Sequence, residues 1–92
     1  MYEIRLARSA NRYYQRVDVD TARRLERCFE ELSRNPFTAT NVRPIRGRQG
    51  VYRYRVGDLR VIFTVVQVER VVRVTAIGPR GNVYEIGRQV IC

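Results

Sequence analysis

The sequence contains no histidine, no lysine and no tryptophan. Each absence removes chemistry. Without histidine there is no imidazole to serve as a general base near neutral pH or as a metal ligand. Without lysine there is no amine for Schiff-base catalysis. The two cysteines, Cys28 and Cys92, stand far apart and match no metal-ligand spacing. Neither a structural disulfide nor a metal or organic cofactor is expected. No apolar run approaches the roughly 20 residues of a membrane span. The opening residues, Met1-Tyr2-Glu3-Ile4-Arg5, lack the hydrophobic region of a signal peptide. A cytoplasmic protein without membrane contact is expected.

Acidic residues are also scarce, nine against 18 basic ones, for a net charge of +9. Every basic residue is arginine. Such a field attracts nucleic acid, acidic proteins and anionic surfaces. Arginine's planar fork favours bidentate contact with phosphate and stacks on bases. The 92 residues, 45% of them hydrophobic, suit one domain over residues 1–92 with a modest core.

Periodicity gives the elements. Tyr2, Ile4 and Leu6 alternate with Glu3 and Arg5, as in a half-buried strand. A short helix is expected from Arg8 to about Arg16, with Ala10, Tyr13, Tyr14 and Val17 inward. Asp18 or Asp20 is placed to cap a second helix running to about Ser33. Its apolar stripe is Ala22, Leu25, Cys28, Phe29 and Leu32, at spacings of three and four. Asn35-Pro36 ends it. Weak strand signals surround Val42 and Ile45, and a basic loop carries Arg46 and Arg48.

A hairpin follows. Tyr52, Tyr54 and Val56 alternate with Arg53 and Arg55, Gly57-Asp58 turns the chain, and Leu59 to Val66 returns. A third strand is expected over Val71 to Ile77, after a turn near Glu69-Arg70. Gly78-Pro79-Arg80-Gly81 is expected to break the sheet, before a short strand or tail at Val83 to Ile86. The fold class is α+β: an N-terminal strand, a two-helix hairpin, then a meander of three or four antiparallel strands, with helices on one face. Arg53 and Arg55 then point to the other face.

Two stretches carry a resemblance, Tyr52-Arg53-Tyr54-Arg55-Val56-Gly57-Asp58-Leu59-Arg60-Val61-Ile62-Phe63 and Ala76-Ile77-Gly78-Pro79-Arg80-Gly81-Asn82-Val83-Tyr84. Together with the opening strand and helix pair, they resemble the RelE/ParE superfamily of toxins from toxin–antitoxin systems. The resemblance covers nearly the whole chain. RelE-like members cut messenger RNA in the ribosomal A site, and ParE-like members inhibit DNA gyrase. Both are neutralised by a small antitoxin, here expected to be acidic and partly disordered.

The ribonuclease branch is the preferred reading, with in-line attack of a 2′-hydroxyl on the adjacent phosphate. By resemblance Arg60 and Arg80 stabilise the scissile phosphate, and Arg80 assists proton delivery to the leaving 5′-oxygen. Arg53 and Arg55 fill the basic hairpin positions, and Tyr84 orients the substrate nucleotide. Arg46 and Arg48 are candidate RNA contacts.

Each residue also has an ordinary reading. Arg53 and Arg55 suit a solvent-facing strand, Arg60 an ion pair with Asp58 or Glu85, and Tyr84 the core. The chain departs from well-known ribonuclease members in having arginines where they use lysines. Arginine holds its proton above pH 12 and makes a poor base. Asp58 and Glu85 remain candidate bases. A gyrase inhibitor without nuclease chemistry, and an inactive protein that binds only antitoxin or RNA, are the alternatives.

Overall fold

The computed structural model describes residues 1–79. β1 (Glu3–Leu6), α1 (Arg8–Arg16) and α2 (Val19–Arg34) come first. β2 (Val42–Pro44), β3 (Val51–Val56), β4 (Leu59–Val66) and β5 (Val71–Pro79) follow. They form one sheet of five strands in the order β1-β5-β4-β3-β2. β2 to β5 are an antiparallel meander, and the weak signal at Val42 is its fourth strand. β1 joins parallel to β5, a pairing that needs a crossover rather than a tight turn.

Gly78 and Pro79 do not break the sheet as expected. They extend β5, paired with Arg60 and Leu59. The pairing of β1 ends at Leu6 opposite Val74, so this end of β5 has no described neighbour on that side. Proline is tolerated at such an edge, where a ladder donor is not needed.

The helices form where the periodicity placed them. Ala10 of α1 is fully buried, and Tyr13, Tyr14 and Val17 pack against the core. Asp18, not Asp20, caps α2, its Oδ1 accepting from the Thr21 N–H at 3.3 Å. The hydrogen bond holds the Asp18 carboxyl below its usual range. α2 buries Leu25, Cys28 and Leu32. Burial pushes the Cys28 thiol far up, away from the reactive thiolate. A reciprocal pair ties the end of α2 to the start of the sheet. The Tyr2 N–H donates to the Ser33 carbonyl at 2.8 Å, and Ser33 Oγ donates to the Tyr2 carbonyl at 2.7 Å. No helix of the described residues is long and apolar enough to cross a membrane.

The core lies between the helices and one face of the sheet. Phe63 at its centre is wholly buried and stacks on Tyr52, ring centroids 5.7 Å apart. The β3–β4 turn holds Gly57 at φ +56°, with no positive φ at Asp58. That is the pattern of a two-residue turn needing glycine at its first central position.

Pairing between β4 and β5 shifts once. Ile62 faces Ala76, Phe63 faces Val74, and Thr75 is passed over. Thr75 Oγ1 donates to the Ile62 carbonyl at 3.2 Å, and Ser9 Oγ donates to the Thr75 carbonyl at 3.3 Å. The bulge thus keeps hydrogen-bond partners despite the broken ladder.

Tyr54 joins the sheet to α2, its hydroxyl donating to Glu31 Oε2 at 2.8 Å. Burial pushes its phenol up from the usual 10 to about 12. The folded state therefore holds this proton more tightly than the unfolded chain does. Its contribution to stability is complete below pH 10 and is lost as pH rises through about 12. Tyr54→Phe should cost about 1 kcal/mol at neutral pH. It should also remove that part of the alkaline destabilisation, as read from denaturant midpoints across the pH range.

Candidate functional site

Alternation and register decide which side chains share the face away from the helices. β3 places Val51, Arg53 and Arg55 there, opposite Thr64, Ile62 and Arg60 of β4. The face continues to Arg73, Ala76 and Gly78 on β5. It reaches Arg43 on β2 and Glu3 and Arg5 on β1. Every strand contributes an arginine. Among the described strand residues the one carboxylate on this face is Glu3, and it is bonded to Arg5. Val51, Ile62 and Ala76, with Ile45, form a small apolar cluster of their own on this face.

Arg60 stands apart from the other arginines. It is 6% exposed and is the charged residue of the buried set. Its Nη1 donates to the carbonyls of Leu59 at 3.1 Å and Gly57 at 3.4 Å. Its Nε is buried and has no hydrogen-bond partner among the described residues. No carboxylate among the described residues pairs with it. Arg55 faces it across β3, and Gly78, without a side chain, faces it across β5. A buried charge with an unmet donor beside a like charge is costly unless an anion arrives. A phosphate oxygen brought against this guanidinium would be a strong acceptor for it.

The structure brings Arg53, Arg55 and Arg60 together as the sequence suggested. Arg60 does not pair with Asp58, and Glu85, the other partner considered for it, lies outside the described residues. Arg46 and Arg48 sit in the loop before β3, at the far end of that strand from Arg55. Arg46 is exposed and Arg48 half-buried. Arg80, Tyr84 and Glu85 lie outside the described residues. Asp58 lines a cavity of about 290 Å³ on the helix side, with Tyr13, Asp18, Thr21 and Arg24. It is therefore turned from the arginine face and is poorly placed as a base for a substrate on Arg60. No His, Cys, Asp or Glu cluster among the described residues could hold a metal.

Sequence reasoning passed over Arg43 and Arg73. Arg43 joins the face only because the short β2 pairs with β3. Arg73 joins it only because of the skipped Thr75.

The fold and this face define a class: a small α+β protein with a cationic sheet surface and one buried arginine among the described residues. The family model described as the ParE toxin of the type II toxin–antitoxin system, parDE, matches residues 4–84. The chain belongs to this family, within the RelE/ParE superfamily. Solved structures are similar as well. A chain of the RelE–RelB complex from Pyrococcus horikoshii is 25% identical, with 87% of this chain and 96% of that one covered and a TM-score of 0.75. A chain of the RelBE2 toxin–antitoxin complex of Mycobacterium tuberculosis is 24% identical, covering 86% and 98%, with a TM-score of 0.71. A mutant of the E. coli toxin RelE in the free state is 19% identical, covering 99% and 98%, with a TM-score of 0.81. No curated protein is similar enough to count as a relative.

If the buried guanidinium awaits an anion, its own effect on stability is unfavourable. Arg60→Met should be neutral or stabilising by about 1–2 kcal/mol. Inorganic phosphate should raise the Tm of the wild type more than that of Arg60→Met, because binding to the native state alone stabilises it. Equal rises would assign the effect to general salt action.

Proposed function

We propose that this chain is the toxin of a type II toxin–antitoxin pair and cuts messenger RNA on the ribosome. One observation carries the reading: the Nε of buried Arg60, without a partner among the described residues, set with Arg53 and Arg55 on a single sheet face. In the reaction the 2′-oxygen of one nucleotide forms a bond to the adjacent phosphorus. The bond to the 5′-oxygen breaks, the 2′-hydroxyl gives up its proton to water, and the leaving 5′-oxygen takes a proton up. Negative charge grows on the non-bridging oxygens, where a preplaced guanidinium favours the transition state over the ground state.

Arg53 and Arg55 draw the strand onto the face and hold its phosphates. By resemblance Arg80 supplies further charge and assists proton delivery to the leaving 5′-oxygen, and Tyr84 orients the nucleotide. The described residues offer no base beside Arg60, so the attacking hydroxyl depends on in-line positioning on the ribosome. The partner is a cognate antitoxin; the Pyrococcus and Mycobacterium relatives were solved as toxin–antitoxin complexes. An acidic antitoxin would associate quickly with a chain of charge +9.

The match to the ParE toxin description favours a second reading, inhibition of DNA gyrase by binding alone. Purified antitoxin-free protein distinguishes the two. The first predicts position-specific cuts in messenger RNA on translating ribosomes, slowed by a factor of about 10²–10³ in Arg60→Gln. Supercoiling by gyrase should be unaffected. Loss of supercoiling without any RNA cut would replace the first reading with the second.

A further inference from the structure

The two helices follow different rules. α2 begins at a capping Asp18, carries Asp20 in its first turn and ends on Arg34. Arg34 pairs with Glu30 four residues earlier, at 2.8 Å. Each choice suits the helix dipole or a neighbour one turn away. α1 shares only one of them, ending on Arg16 as α2 ends on Arg34, and breaks the rest. Ala7 at its N-cap offers no side-chain acceptor, and its first turn holds no acid. Its first residue, Arg8, sets a cation at the positive end of the dipole. Arg12 and Arg16 follow at four-residue intervals, the spacing at which like charges repel along a helix. α1 contains no acidic residue, and none of the three arginines has an ion-pair partner among the described residues.

The helix stands because Ala10, Tyr13 and Tyr14 pack into the core. The arginines add nothing to that packing; all three are exposed. Local choices that oppose the fold mark surfaces kept for function. The helical rise spaces the row at about 6 Å per member, about 12 Å in all. The other exposed side chains of α1 are Ser9, Asn11 and Gln15. A protein interface centres on a desolvated aromatic or aliphatic residue, and this surface has none. Arginine with serine, asparagine and glutamine is the set that contacts phosphate and sugar.

We infer that α1 is a second RNA contact, in which Arg8, Arg12 and Arg16 follow the phosphate backbone of an RNA duplex without reading its sequence. The choice of RNA over DNA rests on the proposed function. The row is separate from the Arg60 face. α1 lies on the covered side of the sheet, so the two cationic surfaces point in opposite directions. A large folded RNA can engage both, holding the protein through α1 while the Arg60 face meets the strand to be cut.

The test is binding to a blunt RNA duplex at a series of salt concentrations, read by fluorescence anisotropy. R8Q/R12Q/R16Q keeps helix propensity and relieves the repulsion along α1. Its Tm should equal or exceed that of the wild type. The slope of log affinity against log salt should become shallower by roughly two to three units, near 0.9 for each lost phosphate contact. The loss should be the same for duplexes of different sequence. An unchanged slope, or a lower Tm with unchanged binding, would overturn the inference. So would an equal loss toward poly-glutamate, which would point to an acidic protein, or a loss confined to duplex DNA. Cleavage plays no part in this readout, so a failure of the ribonuclease reading leaves the slope comparison intact.

Discussion

Between the pairs Ile62–Ala76 and Phe63–Val74 the ladder passes over Thr75, and the two faces of the sheet depend on that omission. It places Val72 and Val74 on the helix side with Ile77, where all three are buried. It turns Arg73 to the opposite face, beside Arg5. Strict alternation back from Ile77 would reverse this, driving Arg73 toward the core and the valines away from it. The bulge also positions α1, because Ser9 Oγ bonds to the carbonyl of the residue it leaves over. One local irregularity therefore sorts apolar from cationic residues and anchors a helix.

The sorted face is electrostatically unfavourable by itself. It carries an arginine on every strand, and its one described strand carboxylate is already engaged. Burial of Phe63, Leu25, Leu32 and the β4–β5 aliphatics on the other side offsets this cost. A polyanion that displaces counterions from such a surface gains affinity without new apolar contact. Arg60 adds direction to a diffuse field, since its buried Nε, without a partner among the described residues, sits on a strand position between Arg55 and Gly78. The fold is shared among toxins of this superfamily, so the target is argued from the site and not from the topology.

Much of this was legible before any coordinates. The apolar stripe Leu25, Cys28 and Leu32 and the alternation of Tyr52 and Tyr54 with Arg53 and Arg55 place both helices and the hairpin. Arg60 could be singled out by resemblance, but its burial and its unmet Nε depend on the Gly57 turn and on what β5 sets beside it. Arg43 and Arg73 were not legible. One needs the pairing of a three-residue edge strand, and the other a skipped residue that no periodicity announces. Pro79 was misread for a related reason: whether proline ends a strand depends on which neighbour needs its amide.

The central claim is that Arg60 receives a phosphate oxygen of the substrate. The most direct measurement follows the Arg60 Nε–H by heteronuclear NMR while a dinucleotide, 2′-deoxy at the attacking position, is added. If the claim is right, this resonance shifts and its exchange with water slows, ahead of those of exposed Arg43 and Arg73. If Arg60 stays unmoved while the exposed arginines respond, the face binds anions only diffusely, and the buried guanidinium is not the receptor.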